Sequence, residues 1–150
     1  MSKSHLEMPD DGECAFCAYI RGERPYTVLC RTSDTATLVT REQRGDPHLL
    51  ILPVRHAPTL LDLTDAEVSS VGIALRTAAE TIDRRSKKSG IAVWQNNGVP
   101  AGQAISHFHF HVAGTLAKGG TEFGKVREIS VEETDAIARR LRGRSLSSSL

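Results

Sequence analysis

The sequence predicts an α+β fold in which a largely antiparallel sheet of about five strands packs on one long helix. Short segments rich in β-branched residues, separated by turn residues, predict the strands. A single long stretch with apolar residues at helical spacing lies between the third and fourth of them. Strands and helices do not alternate strictly, as they would in a parallel sheet, so antiparallel pairing is favoured.

Three strands are predicted in the first half of the chain. Residues 14–20 form a short helical turn before them. Residues 27–31 and 35–41 are rich in Val, Thr and Leu and read as a strand pair, joined by Ser33-Asp34, a dipeptide typical of turns. Residues 48–54 are a dense apolar run, which is typical of a central strand buried on both faces.

Two helices carry capping boxes, in which a hydroxyl and a carboxylate three residues later satisfy each other's backbone N–H groups. Thr64 and Glu67 start the long helix, which Gly90 ends. Ser130 and Glu133 start a second helix, which ends at Gly143. These helices are amphipathic, so each is expected to bury one face against the sheet.

The remaining segments complete the predicted domain. Residues 91–95 form the fourth strand, residues 96–103 form a loop with two glycines and a proline, and residues 106–113 form the fifth strand. We expect one domain over residues 14–144. Residues 1–13 are expected to be a flexible N-terminal segment and residues 145–150 a disordered tail, because both are polar and short of core residues.

Composition restricts the classes of partner. The chain has 150 residues, a net charge of +1, 39% hydrophobic and 25% charged residues, so neither nucleic acid nor a membrane is expected as a partner. Its start lacks the apolar stretch of a signal peptide. Its three cysteines do not suggest a disulfide framework. We therefore expect a protein of a reducing compartment, the cytoplasm.

Three histidines alternate with apolar residues in the fifth predicted strand. His107, His109 and His111 would line one face of the strand, with neighbours about 7 Å apart. The alternate residues would point into the core; they are Phe108, Phe110 and Val112. The polar side of this half-buried strand would therefore consist wholly of imidazole.

A row of imidazoles supports two kinds of chemistry. Neutral imidazole binds metals, and it also attacks phosphorus to form a phosphoramidate. The second option needs hydrogen-bond donors close by to neutralise charge on phosphate oxygens. Gln103, four residues before His107, and Asn96 supply side-chain amides, and Gly102 allows close approach of the backbone. This combination favours phosphoryl chemistry.

The histidine strand and the loop before it, residues 96–113, resemble the signature of the histidine-triad (HIT) family, His-φ-His-φ-His-φ-φ, where φ is hydrophobic. Residues 14–25 resemble the N-terminal Cys-x-x-Cys segment of bacterial members. Residues 46–56 resemble the family's strand Pro-Gly-His-x-Leu-φ-φ-Pro-x-x-His. The resemblance therefore extends from about residue 14 to residue 113.

The resemblance implies a HIT-like fold, a homodimer and a nucleotide substrate. Members cleave nucleoside phosphoramidates, nucleotide conjugates or dinucleoside polyphosphates at the α-phosphate. It makes His109 the catalytic nucleophile that forms a nucleotidyl-histidine. His111 and Gln103, with Gly102, would contact the phosphate, and Asn96 would lie near the leaving group. Because His111 is not replaced by Gln, as it is in the sugar-phosphate transferases, hydrolysis is favoured over transfer.

The resemblance to bacterial members also implies structural zinc, and no organic cofactor. The matching ligand positions are Cys14, Cys17, His48 and His107, a set whose two thiolates and two imidazoles suit tetrahedral zinc. The alternative is a pair of reduced thiols without metal.

Two departures from the family pattern and two other functions remain open. Ala104 stands where many members have a hydroxyl, and Thr40 where many have an acidic residue near the ribose. A metal-dependent enzyme of cupin type would use His107 and His109 as ligands, although no histidine follows His111. A non-catalytic nucleotide-binding protein could also retain the histidine strand.

Overall fold

The computed structural model describes residues 4–143 and has one five-stranded antiparallel sheet. Along the chain the elements are α1 Ala15–Ile20, β1 Thr27–Arg31, β2 Thr35–Val39, β3 His48–Pro53, α2 Asp65–Ser86, β4 Ile91–Trp94, β5 Phe110–Gly114 and α3 Val131–Arg142. The order in the sheet is β1-β2-β3-β5-β4, and every neighbouring pair is antiparallel. The predicted fold class is confirmed.

The two faces of the sheet carry separate cores. Helices α2 and α3 cover one face, where Phe108 and Val112 of the histidine segment are fully buried with Ile82 and Leu141. Helix α1 covers the other face and packs Phe16 among the alternate residues of β2 and β3. Because side chains alternate along β5, the same strand contributes apolar residues to the first core and His111 to the second face.

Both predicted capping boxes are present. The hydroxyl of Thr64 accepts the N–H of Glu67, whose carboxylate accepts the N–H of Thr64. Ser130 and Glu133 do the same for α3. The long helix ends at Ser86, four residues before the predicted stop, because Lys87 takes a left-handed conformation with φ of 52°.

The histidine strand is shorter than predicted. Strand β5 begins at Phe110, and the ladder with β3 ends at the pair of Ile51 and Phe110. The same register would place Phe108 opposite Pro53, which has no N–H to donate. The N–H of Phe108 instead donates to the carbonyl of Ala57 at 2.7 Å. Of the three histidines, only His111 therefore lies in the strand.

The N-terminal segment, for which flexibility is predicted, makes three hydrogen bonds to the loop before β5. The N–H of Val99 donates to the carbonyl of Glu7 at 2.7 Å, and Ser106 bonds to Pro9 and Asp11. Residues 145–150, the predicted tail, lie outside the described residues. Within residues 4–143 no helix combines the length and apolar character needed to cross a membrane.

The topology also bears on the cupin alternative. Cupins are double-sheet jelly rolls of about eight strands, whereas residues 4–143 form a single open sheet of five. The cupin hypothesis is therefore wrong at the level of the fold.

Candidate active site and metal cluster

The ring of His109 is held by one nitrogen. Its Nδ1 donates to the carbonyl oxygen of His107 at 2.7 Å, which leaves the lone pair on Nε2. Nε2 has no hydrogen-bond partner among the described residues. His109 is half-buried, and its Nε2 is not fully buried. Burial lowers the pKa of His109, so that at neutral pH the ring presents a neutral, nucleophilic nitrogen.

Aromatic rings fix the surroundings of His109. The ring of Phe16, on α1, meets it edge-on with centroids 5.0 Å apart. The ring of His111 meets it at 4.8 Å with an interplanar angle of 63°. The two rings therefore lie on one side of the sheet, as the alternation of the histidine segment predicts.

His111 is hydrogen-bonded to a fourth histidine. Its Nδ1 lies 3.0 Å from Nε2 of His48, which is fully buried at the start of β3. Nδ1 of His48 lies 3.0 Å from the carbonyl of Glu42 and 3.1 Å from the backbone N–H of Arg44. A ring nitrogen can donate to the first or accept from the second, so the pair has two tautomeric states. Burial lowers the pKa of His48 to about 4, which keeps this pair neutral at pH 7.

Gln103 supports the loop before β5 rather than facing a ligand. It is buried, its Oε1 accepts the N–H of Gly98 at 2.7 Å, and its Nε2 donates to the carbonyls of Pro58 and Ile105 at 2.7 and 2.9 Å. Both amide protons are used, so none is left for a phosphate oxygen. The predicted phosphate contact of Gln103 therefore has no support in this geometry.

The other two predicted loop residues face each other. Nδ2 of Asn96 donates to the carbonyl of Ala101 at 2.7 Å. Gly102 has a φ of +98°, which other residues rarely adopt, and a Cβ added there would lie 3.7 Å from the Asn96 amide. The loop thus places exposed backbone next to the Asn96 side chain.

A second cluster of side chains is positioned to bind a metal ion. One ligand atom from each of Cys14, Cys17, His56 and His107 lies within 4.8 Å of all the others. Sγ of Cys14 and of Cys17 lie 3.4 and 3.5 Å from Nδ1 of His107, and Sγ of Cys17 lies 3.5 Å from Nδ1 of His56. Tetrahedral zinc, with bonds of about 2.0–2.1 Å to nitrogen and 2.3 Å to sulfur, would place nitrogen and sulfur about 3.5 Å apart.

The protonation of His107 fits this cluster. Its Nε2 donates to the carbonyl of Pro53 at 2.8 Å, so that the lone pair is on Nδ1, facing both sulfurs. Burial, followed by the hydrogen bond with Cys14, raises the pKa of Cys17 to about 11. A bound cation would reverse this and stabilise the thiolates, because metal ligands must lose their protons.

The predicted ligand His48 is corrected to His56. His48 points toward His111 and is hydrogen-bonded there, whereas His56, eight residues later, faces Cys17. Both histidines lie in the segment 46–56 that resembles the family, but the sequence does not show which of them faces the cysteines.

Phe16 and Trp94 contact the histidines but were not predicted as site residues. Each lies close to a motif in the sequence, but neither has a side chain that would indicate catalysis or metal binding.

The comparisons with known proteins agree with this fold. The profile described as "HIT domain" matches residues 21–117, which is more than half of the chain. The chain belongs to the HIT domain family.

Three similar proteins illustrate the range of the family. Adenosine 5'-monophosphoramidase HNT1 of Saccharomyces cerevisiae is 30% identical over 126 residues, 83% of this chain and 75% of that protein. A bis(5'-nucleosyl)-tetraphosphatase of Schizosaccharomyces pombe is 31% identical over 85 residues, 57% of this chain and 47% of that protein. The crystal structure of a Hit-like protein from Bartonella henselae superposes with a TM-score of 0.80 at 21% identity, covering 90% of this chain and 98% of that one.

Proposed function

We propose that this protein hydrolyses nucleotide conjugates at the α-phosphate, with His109 as nucleophile and a nucleotidyl-histidine as intermediate. The observation that carries the proposal is the hydrogen bond from Nδ1 of His109 to the carbonyl of His107, which leaves the lone pair on Nε2, an atom that is not fully buried. A nucleophile held in one tautomer by its second nitrogen is what attack at phosphorus requires.

The proposed reaction has two displacements. The Nε2 lone pair of His109 attacks the α-phosphorus, and the bond from phosphorus to the leaving group breaks. The leaving group keeps that electron pair and takes up a proton. Water then attacks the same phosphorus, loses a proton, and breaks the bond to Nε2, which restores His109 and releases the nucleoside monophosphate. The carbonyl of His107 stabilises the positive charge that develops on the ring.

His111 is proposed to contact the phosphate through Nε2. Its Nδ1 is occupied by His48, and its Nε2 has no partner among the described residues. When Nε2 of His48 donates to His111, the free nitrogen of His111 carries a proton and can donate to a phosphate oxygen. The second tautomer makes that nitrogen an acceptor. A donor at this point would stabilise charge on the oxygens that surround phosphorus during each displacement.

The bound metal is proposed to be zinc with a structural role. Two cysteines and two histidines are a ligand set that zinc prefers, and with all four present no position stays open for a substrate. The cluster would hold α1, through Cys14 and Cys17, against the segment that carries His107. His107 would then contact both parts of the site, the metal through Nδ1 and the ring of His109 through its backbone carbonyl. His109 itself would bind no metal.

The relatives support the choice of substrate class. The yeast relative is named for cleaving adenosine 5'-monophosphoramidate and the fission-yeast relative for a bis(5'-nucleosyl) tetraphosphate. Both substrates present an α-phosphate with a leaving group, and His111 is retained. Hydrolysis is therefore favoured over transfer to a sugar phosphate. We further propose that the protein acts as a cytoplasmic homodimer.

A panel of adenosine conjugates tests this function. Wild-type protein should release AMP from adenosine 5'-monophosphoramidate, and activity should persist with free chelator while the zinc stays bound. His109→Gly should reduce turnover on the order of 10³-fold or more. His5→Ala, which removes an exposed histidine far along the chain from the site, is the matched control and should retain full activity. Binding of AMP without turnover of any conjugate would instead indicate a non-catalytic nucleotide-binding protein.

A further inference from the structure

Trp94 lies flat against His111. The two residues are directly opposite in the β4–β5 register, which places their side chains on the same face of the sheet. Their ring centroids are 4.7 Å apart and their planes differ by 4°. The indole also meets the ring of His48 at 5.1 Å with an angle of 44°. One half-buried aromatic ring therefore covers the hydrogen-bonded pair of histidines.

The contacts of His111 restrict its ring and leave one ring nitrogen without a hydrogen-bond partner among the described residues. Rotation of an imidazole about its Cβ–Cγ bond is intrinsically soft, because such torsions have broad minima. Here Trp94 covers one face of the ring, His48 holds Nδ1, and His109 meets the ring at 63°. These three contacts restrict the torsion, and Nε2 has no hydrogen-bond partner among the described residues. A single hydrogen bond at Nδ1 would not by itself prevent the ring from swinging about that contact.

We propose that Trp94 is a positioning residue that fixes the orientation of the His111 ring for its contact with the transferred phosphate. This inference rests on the proposed function for its kinetic consequence, but the contact itself does not. Trp94 would touch neither the substrate nor the reacting atoms. Trp94 would raise the rate because a hydrogen-bond donor stabilises the transition state best when it is already oriented toward the atoms on which charge develops.

The spectroscopic test depends on the contact alone. Trp94 is the single tryptophan of the chain, so its fluorescence reports on this one site. His111→Ala should change the intensity or the emission maximum, whereas His5→Ala should leave the spectrum of the wild type unchanged. Spectra that coincide for wild type and His111→Ala would overturn the proposal.

The kinetic test compares three substitutions on β4. Trp94→Leu removes the flat face and should lower kcat about 3- to 10-fold, the range expected for loss of one aromatic pair, while KM changes less than kcat. Trp94→Phe keeps a flat ring and should restore most of kcat. Val93→Leu alters the neighbouring, half-exposed residue and is the matched control, with kcat unchanged. A wild-type kcat in Trp94→Leu, or an equal loss in Trp94→Phe, would contradict the positioning role.

The two tests separate this inference from the proposed function. If the wild type hydrolyses no conjugate, the proposed function fails, and the fluorescence of His111→Ala still decides whether the rings are in contact. If the wild type is active and Trp94→Leu loses kcat with its circular dichroism and melting temperature retained, positioning is supported. If Trp94→Leu loses activity only in proportion to folded protein, the role of Trp94 is structural and the proposal is overturned.

Discussion

The three histidines have identical chemistry, but each ring is held by a different partner. His107 donates from Nε2 to Pro53 and keeps its Nδ1 lone pair for the cysteines. His109 donates from Nδ1 to His107 and keeps its lone pair on Nε2. His111 uses Nδ1 for His48. Backbone oxygens therefore select the tautomers of His107 and His109, whereas the pair of His48 and His111 has two tautomeric states.

At the residue scale the alternation of the histidine segment was predictable, but the partner of each nitrogen was not. Period-two spacing places side chains on a face and does not specify χ1 or the position of a distant carbonyl. For the same reason Gln103 was predicted to face phosphate, although its amide spans the loop to Gly98, Pro58 and Ile105. A side-chain amide has the same sequence signature in either role.

Gln103→Ala should therefore lower the free energy of unfolding rather than the affinity for nucleotide. It would leave the buried N–H of Gly98 and two carbonyls without their partners, at a cost of about 1–3 kcal/mol in the free energy of unfolding. Urea denaturation of the variant measures this. Ala104→Ser, which restores a hydroxyl at the next, exposed position, should change stability little. If Gln103→Ala unfolds at the wild-type urea midpoint but binds AMP weakly, the amide contacts the nucleotide after all.

At the scale of elements, short local signals located the helices and strands well. Both capping boxes lie at the predicted residues, since they depend only on residues three apart. The start of β5 was misplaced because it depends on Pro53, far away in the chain. The metal cluster joins α1 to two loops. Its cysteines were predicted from the resemblance of residues 14–25 to the bacterial Cys-x-x-Cys segment, whereas the choice between His48 and His56 required the fold.

Metal content tests the corrected ligand set. His56→Ala removes one of the four clustered ligands and should lower zinc bound per chain well below that of the wild type after dialysis. His48→Gln removes the residue first predicted as a ligand and should leave zinc content unchanged, because His48 bonds His111 instead. Elemental analysis of the two variants, purified in parallel, provides the measurement. The reverse pattern, zinc lost with His48→Gln and kept with His56→Ala, would restore the original ligand set.

At the scale of the whole molecule, both faces of the sheet are packed with apolar residues, and the candidate site lies on one of them. Helices α2 and α3 cover one face with an apolar core, and the histidines, α1 and the metal cluster occupy the other. This division was predictable from the alternation in β5 and the amphipathic helices. The order of the strands was not, because it depends on contacts between residues distant in sequence. Burial lowers the pKa values of His48, His109 and His111, so the fold favours their neutral forms.

Stability should accordingly fall as the solution becomes mildly acidic. The pKa of His48 is lowered by burial from 6.5 to about 4 in the folded state. Below pH 6.5 the unfolded chain therefore binds a proton that the folded chain does not, and stability is lost as pH falls toward 4. Between pH 6.5 and 5 this single residue should contribute a loss of about 2 kcal/mol.

Urea unfolding at these two pH values, for wild type and His48→Gln, measures that loss. Most carboxylates stay ionised in this window even when unfolded, and the comparison of wild type with His48→Gln isolates the contribution of His48. The variant should show a smaller fall in unfolding free energy than the wild type, and His5→Ala should match the wild type because His5 is exposed. An equal fall in unfolding free energy between the two pH values for wild type and His48→Gln would mean that the fold does not hold His48 neutral.

The most direct measurement is the mass of the protein during turnover. Wild-type protein mixed with adenosine 5'-monophosphoramidate, quenched in alkali and digested, should yield a peptide carrying one AMP group on His109. The same peptide from His109→Gly should carry none, while that from His5→Ala should be labelled like the wild type. An AMP group on another residue, or rapid turnover by folded His109→Gly, would contradict the role of His109 as nucleophile.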